Sequence, residues 1–183
     1  MTRRYVALLR GINVGGKHKV PMKDLTRIVE DVGCRDVSTY IQSGNVLFSA
    51  SPAFAKRAPR LIQAAIVRQL GIEIPVVVRS AAELEQVLRN NPFLGKTRET
   101  HCLYVAFLTT TPTRTQIAAL DTQLSAPDRF TVVGDTVFLS LQNGVARTKL
   151  TNNYFDAKLT TTSTVRNWNT VQKLFELATM TAE

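Results

Sequence analysis

Reactive side chains are scarce in this chain. It has two cysteines and two histidines in 183 residues. Cys34 and Cys102 are far apart, and His101 adjoins Cys102, so on a strand the two would point to opposite faces. No metal-ligand spacing links them or His18, and the expectation is two unpaired thiols in a reducing compartment, with no metal and no cofactor. The start has only the apolar run Tyr5 to Leu9 before Arg10, short of the ~7–15 apolar residues of a secretory signal. No stretch approaches the ~20 apolar residues of a membrane span, so a cytoplasmic location with no membrane partner is expected. The polar segments lack paired carboxylates, a histidine beside an acid, and a serine or cysteine in an elbow motif. Acid–base and nucleophilic catalysis therefore have no visible constellation.

Positive charge, in contrast, is abundant. The net charge is +9, and it is uneven. Residues 1–92 hold 14 Lys+Arg against 7 Asp+Glu, while residues 93–183 hold 9 against 7. A basic half suits an anionic partner, whether a phosphate-bearing small molecule or the backbone of a nucleic acid.

Hydropathy patterning organises the chain into two halves, 1–92 and 93–183. In the first, Tyr5–Leu9 reads as a buried strand. Pro21 opens a helix whose apolar positions are Met22, Leu25, Ile28, Val29 and Val32, closed by Gly33. Val37–Ile41 and Val46–Phe48 read as strands around the turn Ser43-Gly44-Asn45. A single long helix is expected over 52–70, a strand over 72–78 and a short helix over 81–88, broken by Asn90-Asn91-Pro92. The order β-α-β-β-α-β is that of a ferredoxin-like unit. The second half repeats its first five elements: strand 103–108, helix 113–124, a hairpin around Gly134-Asp135, and helix 148–159. It shows no obvious fourth strand. A last helix carries the stripe Val165, Trp168, Val171, Leu174, Phe175 and Ala178. The expected fold class is thus α+β: two ferredoxin-like halves with mainly antiparallel sheets, plus a C-terminal helix.

Three polar segments carry the candidate site. The first runs from Arg10 to Lys19, with Asn13, Gly15, Gly16 and Lys17 between. Gly11 to Lys17 fits the Gly-x4-Gly-Lys part of a phosphate-binding loop. However, residue 18 is His where that motif uses Ser or Thr, and the helix begins several residues too late. A looser anion site built from backbone N–H groups, Arg10, Lys17 and Lys19 remains. The second segment holds Ser43, Gly44 and Asn45. In a β-α-β-β order the loop after strand one and the hairpin after strand two leave the same end of the sheet. These two segments should therefore form one pocket rim. The third combines residues 147–153 with 164–170. Lys149, Asn152, Arg166 and Asn167 are placed at two helix starts, with Thr148 or Ser163 as N-caps, and should converge on an acceptor group.

At these segments the chain resembles the bacterial family named domain of unknown function 1697. The matching stretches are residues 8–25, 39–48, 103–108, 147–159 and 164–174. The resemblance implies ferredoxin-like units in a bacterial cytoplasmic protein and no assigned activity. Asp156 stands where the family pattern implies Glu. The leading expectation is a protein that binds an anionic ligand, a phosphate-bearing small molecule or nucleic acid without sequence preference. An enzyme using Arg10, Lys149 and Arg166 on a phosphorylated substrate, or an interaction module without a small ligand, stays open.

Overall fold

The computed structural model describes residues 1–13, 19–95 and 100–180. The chain groups into two compact units, Met1–Glu85 with Lys173–Glu183, and Gln86–Gln172. The sequence division falls a few residues later, after residue 92, and keeps the whole C-terminal helix with the second half.

The first unit contains β1 (Arg3–Leu9), α1 (Met22–Asp31), β2 (Arg35–Tyr40), β3 (Asn45–Ala50), α2 (Pro52–Ala55), α3 (Ala58–Leu70), β4 (Val76–Ser80) and the start of α4 (Ala81–Arg89). Its sheet has the order β2-β3-β1-β4, and every pairing is antiparallel. β1 sits inside, so its run from Tyr5 to Leu9 is buried on both faces. Tyr5, Ala7 and Leu9 share one face with Val46 and Phe48 across the ladder. That face packs on Leu25, Ile28 and Val29 of α1 and on Ile62, Ala65 and Ile66 of α3. The expected single helix over 52–70 is two. Ser51 caps α2 by accepting from the Phe54 N–H. Pro59 then sits in the first turn of α3, where a missing N–H costs no helical bond.

The second unit opens with a 3-10 turn at Thr100–Cys102. It continues with β5 (Leu103–Leu108), α5 (Arg114–Ala118), β6 (Arg129–Val133), β7 (Thr136–Ser140), α6 (Asn152–Leu159), β8 (Ser163–Asn167) and the start of α7 (Trp168–Thr179). The sheet order is β6-β7-β5-β8, again antiparallel throughout. Four expectations are corrected here. A fourth strand exists: β8 pairs with β5 from Leu108↔Ser163 to Tyr104↔Asn167. The last helix therefore starts at Trp168, with Asn167 accepting the Thr170 N–H. α6 begins at Asn152, with Thr151 and not Thr148 as its cap. The helix expected over 113–124 is one capped turn, Arg114–Ala118, closed by a Thr113–Gln116 capping box.

The two sheets repeat one another in detail. Tyr5-Val6-Ala7-Leu8-Leu9 corresponds to Tyr104-Val105-Ala106-Phe107-Leu108. Val6 is flanked by Leu47 and Arg79, and Val105 by Phe138 and Arg166. Leu9 N–H donates to Gly44 O and Leu108 N–H to Asp135 O; Arg10 N–H donates to Pro75 O and Thr109 N–H to Thr162 O. Arg79 and Arg166 are both buried, and each guanidinium donates to the carbonyl of the valine before it.

Among the described residues no helix is long and apolar enough to cross a membrane, and no cluster of His, Cys, Asp and Glu is placed to hold a metal. Cys34 and Cys102 are buried and form no disulfide. Burial pushes the Cys34 thiol up to about 11.

Candidate functional site

The repeat supplies an internal reference for reading function. Leu9 ends β1 opposite Val76 of β4, and Leu8 lies opposite Asn45 of β3. The β1–α1, β2–β3 and α3–β4 connections therefore share one end of the first sheet. In the second unit the corresponding connections are shorter: residues 109–113, 134–135 and 160–162, that is five, two and three residues. In the first unit they are residues 10–21, 41–44 and 71–75, that is twelve, four and five. The same framework closes with less chain, and the twelve-residue connection is longer than a β–α loop usually needs.

Two of the enlarged loops are tied together. Asn13 takes a left-handed backbone conformation with φ 54°, one that Asn tolerates better than most residues. Its Nδ2 donates to Val20 O at 3.0 Å and to Gln42 O at 2.9 Å, and its Oδ1 accepts the Val20 N–H at 2.9 Å. Asn45 is fully buried, and its amide donates to Tyr40 O and Ser43 Oγ. Gly44 has φ 77°, and a Cβ there would lie 2.9 Å from Leu9 Cβ and from Ile12 Cγ1. The hairpin backbone thus presses directly on the buried start of the first loop. Beside this junction lies an open depression of about 390 Å³ lined by Asn13, Lys19, Val20, Pro21 and Gln42. Pro21 leads into α1 with no side chain capping the helix, so the first N–H groups of α1 take no acceptor from a capping side chain.

The first two segments do converge, and Asn13, Ser43, Gly44 and Asn45 are parts of the frame rather than free donors. Lys19 is exposed and lines the depression. Arg10 is half-buried and is anchored through its backbone to Pro75. Gly15, Gly16 and Lys17 lie outside the described residues. Removing the tie at Asn13 should register as a change in both loops. Asn13→Ala strands the N–H of the buried Val20 and two carbonyls, and should cost about 2 kcal/mol. Amide exchange at Val20 and around Gln42 should quicken in the variant. Protection unchanged at either loop would show that they are held independently.

The expected second cluster does not assemble. Arg166 lies in β8 rather than at a helix start, and its Nη1 donates to Thr164 Oγ1 and Val165 O, both at 2.8 Å. Strand alternation puts Thr164 and Arg166 on the face away from α6, while Val165 packs with Phe155 and Leu159 on the other. Burial lowers the Arg166 guanidinium to about 10, which leaves it charged at neutral pH. Asn152 instead accepts from Ser163 Oγ at 2.9 Å, and Asp156 Oδ1 accepts both the Ser163 N–H and hydroxyl. Asn167 is spent on the α7 cap. Lys149 is held by its N–H to Ser125 Oγ. The helical reading failed because Val165 continues the three-residue spacing of Trp168 and Val171, whereas pairing with β5 decides the local structure.

Comparisons place this geometry among known proteins. No curated protein matches the chain. The structure of conserved bacterial protein SP0830 from Streptococcus pneumoniae aligns over 97% of this chain and 99% of its own, with TM-score 0.74 and 23% identity. At that identity the likeness establishes the fold alone. The model of a family described as protein of unknown function (DUF1697) matches residues 1–138, which include the enlarged loops and the whole of the first sheet. The chain belongs to the DUF1697 family.

Proposed function

We propose that the protein binds a phosphate-bearing small molecule at the enlarged end of its first sheet. The carrying observation is the inequality of the two units. Twelve, four and five residues stand where five, two and three suffice, and the extra chain is braced by Asn13, Gly44 and Asn45 around a depression beside Lys19. The side chains lining it are amide, ammonium and apolar groups, which suit holding an anion rather than moving a proton. The β-α-β-β-α-β order and strand arrangement of each unit support a ferredoxin-like plait. The cysteine usage supports a cytoplasmic setting.

Thermal unfolding with inorganic pyrophosphate, a sugar phosphate and a nucleoside monophosphate tests the reading. At a hundred times Kd a ligand adds about 2.7 kcal/mol to the native state, or roughly 5–11 °C for a chain of this size. At least one probe should raise the Tm of the wild type. Lys19→Ala should abolish most of that rise while changing apo stability by no more than about 0.5 kcal/mol, as at other exposed sites. Equal shifts in wild type and variant, or no shift with any probe, would refute the assignment.

A further inference from the structure

The longest stretch of the chain without an acidic residue runs from the rim hairpin through α3. Between Asp36 and Glu73 the sequence contains no acidic residue, and it carries Lys56, Arg57, Arg60 and Arg68. All four fall at the junction of α2 and α3 or on α3 itself. At 3.6 residues per turn, Arg57, Arg60, Leu61, Ala64, Val67 and Arg68 occupy one stripe about 120° wide. Every one of these six is exposed. The opposite face is committed to the core through Ala58, Ile62, Ala65 and Ile66.

Three features set this stripe apart from an ordinary solvated helix. None of its cations is in an ion pair among the described residues, unlike Arg27 with Asp24 or Lys173 with Glu176. Lys56, Arg57 and Arg60 crowd the N-terminal turn of α3, which holds no acidic residue. Cations there oppose the helix macrodipole, so the arrangement is not one that folding favours. Leu61 and Val67, 36% and 43% exposed, lie among the charges instead of a screening set of glutamates. Two acids approach α3: Asp31 accepts from Gln69 Nε2, and Glu73 lines with Arg60, Gln63, Val67, Ile74 and Pro75 a shallow depression of about 350 Å³.

We infer that the exposed face of α2–α3 is a docking surface for the phosphate backbone of a nucleic acid. An anionic polymer satisfies both the row of guanidinium groups and the positive end of the helix. From residue 57 to residue 68 the stripe is about 16 Å long at 1.5 Å per residue, the axial length of about five base steps at 3.4 Å. Arginine supplies three of the four cations, and its planar fork matches phosphate oxygens. A membrane surface fits less well, because an interfacial helix inserts its apolar face, and that face of α3 is already used by the core. Contacts to phosphate alone carry no sequence information, so binding is independent of base sequence. The surface adjoins the α3–β4 connection, because Glu73, Ile74 and Pro75 share its depression with Arg60 and Val67, but none of its cations lines the depression beside Lys19.

The test is a salt titration of the full chain on a mixed-sequence 20-base-pair DNA duplex, read by fluorescence anisotropy between about 50 and 200 mM salt. Four neutralised phosphates give a slope of log K against log salt of about −3.6. The variant Arg57→Gln/Arg60→Gln/Arg68→Gln should bring it to about −0.9, with a Tm no lower than that of the wild type. A second variant, Arg35→Gln/Arg114→Gln/Lys158→Gln, removes the same charge elsewhere and should leave the slope as it was. Equal loss in the two variants would reduce the effect to net charge and overturn the assignment. So would the absence of DNA binding at 50 mM salt, or stripe-dependent binding to phosphatidylserine vesicles without binding to DNA.

Discussion

Replacing Gly44 by alanine should destabilise the protein by about 3 kcal/mol, with a fall in Tm of about 6–12 °C. Two independent costs add at this position. The backbone has φ 77°, where an L side chain is strained by about 1–2 kcal/mol. The new methyl would also sit 2.9 Å from Leu9 Cβ and Ile12 Cγ1, and both residues are fully buried and backed by the core. Neither atom is the flexible end of an exposed chain, so the clash must be relieved by moving the hairpin or the first loop. Such overpacking costs about 1–3 kcal/mol. Gly134 is the control. It holds the equivalent turn of the second sheet with φ 59°, but has nothing within 4 Å of its built Cβ. Gly134→Ala should therefore show only the conformational cost, about 1–2 kcal/mol. Urea unfolding of the two variants separates the contributions. Equal losses would mean that the contact of Gly44 with Leu9 and Ile12 adds nothing. Because that contact joins the two loops of the rim, Gly44→Ala should also weaken binding of any anion that Lys19→Ala affects.

How far the fold is legible depends on whether a segment's own pattern or its partner decides it. Tyr5–Leu9, the α1 periodicity from Met22 to Val32, and the Ser43-Gly44-Asn45 turn are strong local signals, and each appears where expected. β8 is different. Ser163-Thr164-Val165-Arg166-Asn167 has one aliphatic residue, and the β-branched threonine beside a buried arginine gives no clean alternation. Its strand character comes from pairing with β5, a contact invisible along the chain. The repeat was the available clue. Val78-Arg79-Ser80 ends β4 just as Val165-Arg166-Asn167 ends β8, and an unmatched fourth strand in one half predicts its counterpart in the other.

The candidate site divides in the same way. Topology alone brings the loop after β1 to the β2–β3 hairpin, and the Asn13 bond to Gln42 O joins them. The roles of the individual side chains are not visible in the sequence. Asn13 and Asn45 look like ligand donors in a polar, glycine-rich segment, yet each is consumed by backbone carbonyls. A short amide side chain serves either purpose equally well, and only the backbone groups left without helical or sheet partners decide between them. Arg166 misled for a related reason. A cation beside a presumed helix start suggests an anion, but in a buried strand the Arg166 Nη1 donates locally to Thr164 and Val165.

Asp128, which no motif marks, should prove a structural acid whose loss is as costly as that of Gly44 and whose contribution disappears in acid. It is 2% exposed. Its Oδ1 accepts the Asn143 N–H at 2.8 Å and its Oδ2 the Ser125 hydroxyl at 2.9 Å. Ser125 in turn accepts the Lys149 N–H, and its carbonyl accepts from Asn143 Nδ2. One carboxylate thus binds the segment before β6 to the segment that leads into α6. Desolvation alone would raise its pKa, but hydrogen bonds from Asn143 N–H, Thr148, Ser125 and the Asn143 side chain outweigh it, and the carboxyl sits below its ordinary value. Asp128→Ala takes the charged acceptor from the part-buried Asn143 N–H and the buried Ser125 hydroxyl and should cost about 3 kcal/mol at neutral pH. Because the folded-state pKa is depressed, the stabilisation is fully present above the unfolded value of about 3.9 and is lost as pH falls through the lower folded value. The gap in unfolding free energy between wild type and Asp128→Ala should therefore hold steady from about pH 8 to pH 5 and narrow below about pH 4. Asp128→Asn keeps the volume and one acceptor oxygen, and should lose less at neutral pH while showing the same flattened acid limb. A gap that stays constant into strong acid would mean that the charge on Asp128 contributes nothing and that its packing alone holds the two segments.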